Sequence, residues 1–135
     1  MSVHKEIQKS SEMKFDGKLI KVTYDVADVN GKEAWREVVH HPGASAIVVV
    51  DDHNRIVMER QYRYAIDYGL LEVPAGKLDG NEDPLECAKR ELEEETGLNV
   101  DGLLYLQELK ARDTVHHVFE ASVVNIDEAR PCNEI

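Results

Sequence analysis

Only one stretch of this chain, Pro84–Thr96, has a sequence that predicts a helix, and capping residues bound it on both sides. Asp83 can accept hydrogen bonds from the first backbone amides, a proline occupies the first turn, and Gly97 suits a left-handed C-terminal cap. The helical period gathers the apolar side chains into one stripe, formed by Leu85, Ala88 and Leu92. A single helix of this length must pack its stripe against other elements of the fold.

The apolar segments outside the helix have the length and β-branched composition of strands. Asn30-Gly31 joins two of them, residues 19–29 and 32–40, and predicts a hairpin because both turn residues tolerate positive φ. Further strands are expected at residues 44–50, 55–62, 70–73, 103–106 and 114–124. We therefore expect an α/β (α+β) fold, a mixed β-sheet with the helix packed against it, in a single domain over residues 1–135.

Charge and hydropathy exclude several classes of partner. The chain has 27 Asp and Glu against 16 Lys and Arg, a net charge of −11, which disfavours binding to a nucleic-acid polymer. Its longest apolar run, residues 46–50, is too short to cross a bilayer. No apolar signal-peptide core begins the sequence, and Cys87 and Cys132 make a poor disulfide framework. We expect a cytoplasmic location.

Three carboxylates cluster beside the apolar stripe of the helix. Glu91, Glu94 and Glu95 stand at i, i+3 and i+4, where like charges repel by about 0.2–0.5 kcal/mol per pair. One interpretation is a solvated acidic face. The other is a divalent cation, because Mg²⁺ prefers carboxylate and carbonyl oxygens and binds together with phosphates.

The segment around these glutamates follows a motif of fixed spacing. Residues 76–98, GKLDGNEDPLECAKRELEEETGL, match G-x5-E-x7-R-E-U-x-E-E-x-G-U, where U is aliphatic. The matching positions are Gly76, Glu82, Arg90, Glu91, Leu92, Glu94, Glu95, Gly97 and Leu98. In this motif the chain resembles the Nudix hydrolases, which implies the Nudix fold.

Upstream segments resemble one branch of that family. WREVVHHPGASAIVVV, ERQYR and LLEVPAGKL are similar to segments of the ADP-ribose pyrophosphatases. The resemblance implies Mg²⁺-dependent hydrolysis of a nucleoside diphosphate linked to another group, with ADP-ribose giving AMP and ribose 5-phosphate; Mn²⁺ could replace Mg²⁺. The alternatives are a nucleoside triphosphate, another nucleotide sugar, or a module that binds ADP-ribose without cutting it.

The resemblance also implies roles for residues of the motif. Glu91, Glu94, Glu95 and the carbonyl of Ala75 would be the metal ligands, and Arg90 would orient a carboxylate of the motif. Glu82 would either bind metal or brace the loop. Downstream of the motif the chain is shorter than the branch pattern, which leaves the general base open. We rank Glu94 first, followed by Glu108 and Asp113 as residues of a short loop.

Substrate-binding candidates lie upstream of the motif. Arg36 and Arg63 can present a guanidinium fork to phosphate oxygens or to the terminal ribose, and Glu72 is grouped with them. Surface ion pairs are the alternative role for both arginines. The partner expected from the resemblance is a small nucleotide.

The chain ends soon after its last predicted strand, where a Nudix fold normally continues. Either the chain is truncated at its C-terminus, or a partner subunit completes the packing. In the resembled branch the N-terminal hairpin is exchanged across a homodimer, and residues 19–40 are suited to that role. We therefore expect a homodimer.

Overall fold

The computed structural model describes residues 4–100, 102–111, 114–124 and 126–130. The chain divides into two compact units, Met1–Pro42 and Gly43–Ile135. The organisation as a single domain stays a prediction. Within the described ranges, no helix combines the length and the apolar character that a bilayer span requires.

The first unit is a three-stranded antiparallel sheet in the order β1-β2-β3, with β1 at Ile7–Asp16, β2 at Lys21–Val29 and β3 at Lys32–His40. Asn30 and Gly31 form the turn between β2 and β3 with φ of 55° and 82°, which confirms the predicted hairpin. Strand β1 was not predicted, because it is polar, exposed along its whole length and has no alternating apolar pattern.

The second unit holds a mixed four-stranded sheet in the order β7-β4-β9-β8. Strands β4 and β9 run parallel, whereas β7 and β8 pair antiparallel to their neighbours. The four strands are β4 (Ala44–Asp51), β7 (Ala75–Lys77), β8 (Leu103–Ala111) and β9 (Thr114–Val123). A separate antiparallel hairpin contains β5 (Glu59–Arg63) and β6 (Tyr68–Glu72), and short 3₁₀ turns occupy Tyr64–Ile66 and Ile126–Glu128.

Helix α1 spans Pro84–Thr96, with the bounds that the capping residues predict. The Asp83 carboxylate accepts a hydrogen bond from the Leu85 amide at 2.9 Å. Gly97 ends the helix with φ of 69°, and its amide donates to the Glu93 carbonyl at 2.8 Å. A residue with a side chain would be strained in this left-handed conformation.

The core of the second unit lies between helix α1 and the mixed sheet. Ala88 and Leu92 are buried, and Leu85 packs at the edge of the same cluster. The buried side chains from the strands are Ile47, Val49, Phe119 and Ala121. Complete burial of a leucine or isoleucine contributes about 1.5–3 kcal/mol. The α+β fold, with the helix packed on a mixed sheet, is confirmed.

Several strand boundaries differ from the expectation. The predicted strand at residues 55–62 begins only at Glu59, because Asp51 accepts hydrogen bonds from the amides of His53 and Arg55 and holds these residues in a turn. The predicted strand at 103–106 continues to Ala111 through pairing with β9. Strand β7 was missed because its three residues carry no strand signal of their own.

Candidate metal and substrate site

Strand β7 brings backbone groups against the second half of helix α1. The Glu95 carboxylate accepts a hydrogen bond from the Ala75 amide at 3.0 Å. The carboxyl group of Glu91 lies so close to Gly76 that a Cβ at this position would overlap it. Strand β7 therefore lies against two predicted metal ligands of the helix, with Ala75, itself a predicted ligand, on Glu95 and its neighbour Gly76 on Glu91.

Arg90 links three carboxylates of the motif. Its Nε and Nη2 donate to the two carboxylate oxygens of Glu82, both at 2.9 Å. Its Nη1 donates to Glu91 at 2.6 Å and to Glu94 at 3.3 Å. The bonds from Arg90, together with one from the Asp79 amide, lower the pKa of Glu82 to about 2. Glu82 therefore anchors the loop before the helix.

The three glutamates of the helix lie in different environments. The side chain of Glu94 is 60% exposed, whereas that of Glu91 is only 13% exposed. Glu95 is half-buried, and this burial, followed by the negative charge of Glu59, raises its pKa to about 7. Of these three glutamates, Glu94 is thus the one most open to solvent water.

The β5-β6 hairpin brings together two of the predicted substrate-binding residues. Arg63 donates to Glu72 through Nε at 2.8 Å and also through Nη2. This pairing lowers the pKa of Glu72 and raises the pKa of Arg63. Arg63 also interacts electrostatically with Glu95, so the pair lies near the acidic end of the helix.

Glu59 is a residue of this region that the sequence analysis missed. It lies opposite Glu72 in the β5-β6 register. Its burial, followed by the charge of Glu72, raises the pKa of its carboxyl group, and Glu91 contributes to the same shift. Because side chains alternate along β5, Glu59 lies on the same face as Arg63. This alternation is the feature of the sequence that could have identified Glu59 as a residue near Arg63.

Arg36, the other predicted substrate-binding arginine, belongs to the first unit. Its Nε and Nη2 donate to the Glu6 carboxylate at 3.0 and 2.7 Å, and its Nη1 donates to the Trp35 carbonyl at 2.7 Å. Trp35 stacks on Tyr24 with the ring centroids 5.9 Å apart. The substrate-binding role of Arg36 stays a prediction.

Of the two downstream candidates for the general base, Glu108 and Asp113, the structure describes only Glu108, and it places this residue in a strand. Glu108 lies within strand β8, opposite His117, and its carboxylate pairs with Lys110. It was expected in a loop because the predicted strand ended at residue 106, five residues before the observed end at Ala111. Asp113 lies outside the described residues.

Among the described residues, the potential metal-ligand atoms of Asp51, Asp52 and His53 lie within 4.8 Å of one another. Asp51 already accepts hydrogen bonds from the amides of His53 and Arg55 and from the Arg55 Nε at 2.7 Å. These hydrogen bonds compensate the burial of the Asp51 carboxylate and give it a structural role in the turn. The glutamates of helix α1 fit a divalent cation better, because their charge is compensated only in part by Arg90.

Comparisons with known proteins identify the family of the chain. Residues 39–134 match the NUDIX domain family. The chain is 38% identical over 131 residues to an ADP-ribose pyrophosphatase of Bacillus subtilis, covering 93% of this chain and 71% of that protein. It is 42% identical over 97 residues to a methanol dehydrogenase activator of Bacillus methanolicus, covering 71% of this chain but only 52% of the activator.

A crystal structure of an ADP compounds hydrolase has the same fold, with a TM-score of 0.71 and 20% identity, covering 99% of this chain and 73% of that one. The family match covers well over half of the sequence, and the Bacillus subtilis relative is similar along most of both proteins. The resemblance to the ADP-ribose pyrophosphatase branch is therefore confirmed, and the chain belongs to the NUDIX domain family.

Proposed function

We propose that this chain is a Mg²⁺-dependent Nudix pyrophosphohydrolase that converts ADP-ribose to AMP and ribose 5-phosphate. The observation that carries the proposal is the position of Ala75 against Glu95 and of Gly76 against Glu91, with the Arg63–Glu72 pair within electrostatic reach of Glu95. A pyrophosphate repels nucleophiles through its own negative charge. A site that combines carboxylates for cations with an arginine for phosphate is suited to that substrate.

Glu91, Glu94, Glu95 and the carbonyl of Ala75 would hold the cation. All are hard oxygen donors, which favours Mg²⁺ and also permits Mn²⁺. When bound, the cation neutralises the phosphates and makes a coordinated water more acidic. Arg90 keeps Glu91 oriented through the bond at 2.6 Å and ties it to the loop through Glu82.

Glu94 is the proposed general base. A general base must reach the attacking water. The side chain of Glu94 is 60% exposed, whereas that of Glu91 is 13% exposed. Glu95 is less suited to this role because its carboxylate is engaged by the Ala75 amide. Glu94 would accept the proton that the water loses on attacking phosphorus.

Arg63 is the proposed contact to the substrate beyond the cleaved phosphates. Glu72 binds its Nε and Nη2 and so holds the guanidinium in one orientation. ADP-ribose is favoured because the Bacillus subtilis relative is an ADP-ribose pyrophosphatase. Other nucleotide sugars, nucleoside triphosphates and non-catalytic ADP-ribose binding are the competing functions that an assay must separate.

The test is a panel of nucleotides incubated with the purified chain in Mg²⁺, in Mn²⁺ and in EDTA, with the products identified by mass. We expect AMP and ribose 5-phosphate from ADP-ribose with either cation and no products in EDTA. Faster turnover of a triphosphate would replace the proposed substrate. ADP-ribose binding without cleavage would support the sensing module, and full activity in EDTA would refute the cation.

We further propose that the chain acts in the cytoplasm as a homodimer. The support is the first unit, whose sheet leaves large apolar side chains exposed, among them Ile7, Phe15, Trp35 and Val39. Exposed apolar groups in this number favour burial against a second subunit. The β2-β3 hairpin is the segment proposed for exchange between subunits.

A further inference from the structure

The β5-β6 hairpin presents an aromatic side chain beside Arg63. Tyr68 is the first residue of β6 and lies directly opposite Arg63 in the register of the two strands. Side chains at directly opposed positions of antiparallel strands project to the same face, with their Cβ atoms about 4.5–5.5 Å apart. Alternation along β6 adds Glu72 to that face. Tyr68 therefore shares a face of the hairpin with the proposed substrate-binding pair.

The ring of Tyr68 is accessible to a ligand. The residue is 64% exposed, although it belongs to a paired strand. Within the described ranges, its hydroxyl forms no hydrogen bond and its ring stacks on no other ring and no cation. Arg63 does not cover the ring, because its Nε and Nη2 donate to Glu72, four residues further along β6. Both the ring face and the hydroxyl of Tyr68 are therefore available for binding.

The turn before Tyr68 fixes the start of β6. Tyr64–Ile66 forms a 3₁₀ turn, and the amide of Asp67 donates to the Tyr64 carbonyl at 3.2 Å. Asp67 has a left-handed φ of 51°, and its carboxylate accepts a hydrogen bond from the Tyr62 hydroxyl. A residue other than glycine adopts this conformation at a cost that local contacts must offset. The hairpin thus presents Tyr68 from a turn that is held by hydrogen bonds.

The nucleobase of a nucleotide needs a kind of contact that cations and carboxylates do not provide. A base is flat and uncharged, and its π face stacks on aromatic side chains. Among the tyrosines of the hairpin, Tyr62 alternates to the face opposite Arg63, and Tyr64 lies in the turn outside the paired strands. Tyr68 is the tyrosine of β5 and β6 whose strand position places it beside the arginine.

We propose that Tyr68 stacks on the nucleobase of the substrate and so determines specificity from outside the sequence motif. This inference rests on the proposed function, because it presupposes that Arg63 contacts a nucleotide. Arg63, oriented by Glu72, would bind polar groups of the substrate, and Tyr68 would bind the base. The hairpin would then select nucleotides over pyrophosphates that carry no base.

The test compares two ligands, AMP and ribose 5-phosphate, of which only AMP contains a base. Both are titrated calorimetrically into the purified chain with Mg²⁺. We expect Tyr68→Leu to raise the Kd for AMP by about fivefold or more, and to change the Kd for ribose 5-phosphate by less than about twofold. Tyr68→Phe should bind AMP like the wild type, because it keeps the ring. Tyr64→Leu is the matched control, since it removes a 91% exposed ring from the adjacent turn, and it should leave both Kd values unchanged.

Turnover supplies an independent measurement. Tyr68→Leu should raise KM for ADP-ribose and leave kcat within about twofold of the wild type, because stacking on the base is the same in the ground state and the transition state. Equal losses of affinity for AMP and ribose 5-phosphate would overturn the inference, as would an unchanged Kd for AMP. A Tyr68→Phe variant as weak as Tyr68→Leu, or a wild type that does not bind AMP, would also overturn it.

Failure of the proposed function gives a different result. A wild-type chain that binds AMP through Tyr68 but cleaves no ADP-ribose would refute hydrolysis and leave the base contact standing. Cleavage of ADP-ribose with the same KM in the wild type and in Tyr68→Leu would refute the base contact and leave hydrolysis standing. If Tyr68→Leu does not fold, as judged by circular dichroism, Tyr68→Thr is used under the same criteria, because threonine also favours a strand.

Discussion

Arg90 binds both oxygens of Glu82, with the Nε–Oε1 and Nη2–Oε2 distances each at 2.9 Å. The remaining nitrogen of the fork, Nη1, reaches Glu91 at 2.6 Å. One arginine thereby connects the loop before helix α1 to a proposed metal ligand. This connection explains why the motif places Arg90 next to Glu91 and requires a second glutamate, Glu82, eight residues before the arginine.

The first prediction concerns this connection. Arg90→Lys keeps the positive charge but cannot bond Glu82 and Glu91 simultaneously through a planar fork. We expect kcat for the cation-dependent reaction to fall by about 10- to 100-fold, the range found for residues that orient metal ligands. Lys89→Gln is the control, because Lys89 forms an ion pair with the exposed Glu86. Equal kcat values for the two variants would contradict the positioning role.

The second prediction addresses the helix carboxylates. Glu94→Gln and Glu95→Gln should each lower kcat by about 100-fold or more at saturating Mg²⁺, because a neutral amide is a poor cation ligand and cannot accept the proton from water. Both variants should retain the wild-type circular dichroism spectrum. Near-full turnover by either variant, measured against Glu93→Gln, would show that the metal assignment is wrong.

The third prediction concerns pH in the absence of cations. The pKa of Glu95 rises from an ordinary 4.5 to about 7 in the folded protein. The folded state therefore binds this proton more tightly than the unfolded state. The resulting stabilisation is present below about pH 4.5 and is lost as the pH rises through about 7. Urea unfolding in EDTA should show a loss of roughly 1–3 kcal/mol across this interval.

Glu95→Gln should remove most of that dependence, because the amide does not titrate. The free energy of unfolding of this variant should vary less between pH 5 and 8 than that of the wild type, as estimated from the linkage relation. Identical pH profiles for the two proteins would show that Glu95 does not titrate in this interval.

The fourth prediction tests substrate length. Arg63→Ala should raise KM for ADP-ribose by about 10- to 150-fold, the equivalent of about 1.5–3 kcal/mol from charge-assisted hydrogen bonds, with a smaller effect on kcat. Glu72→Gln should raise KM less, because it loosens the guanidinium without removing it. A nucleoside triphosphate should be affected little by Arg63→Ala. Equal losses for the two substrates would move the assignment towards the triphosphate.

The fifth prediction is the oligomeric state. Sedimentation at micromolar concentration should show a species of twice the chain mass of 15.3 kDa. Trp35→Glu should shift the distribution towards the monomer, because it places a charge among exposed apolar side chains of the first sheet. Glu33→Gln, which changes an exposed polar residue of the same strand, is the control. A wild-type protein that sediments only at the monomer mass would exclude the dimer.

Local signals predicted a large part of the fold. The bounds of helix α1 followed from Asp83, Gly97 and the helical period, because capping and periodicity depend on residues that are adjacent in sequence. The β2-β3 hairpin followed from Asn30-Gly31 for the same reason. Strands β1 and β7 were missed because pairing with a neighbouring strand, and not their own composition, defines them.

The candidate site shows the same division. The spacing of the motif by itself determined that Glu91, Glu94 and Glu95 share a helix and that Arg90 stands beside them, because one helical turn sets those distances. Only the tertiary structure paired Arg63 with Glu72, placed the Ala75 amide against the Glu95 carboxylate and put Glu59 opposite Glu72. These relationships depend on strand register and on packing between elements far apart in sequence, where no local periodicity carries the information.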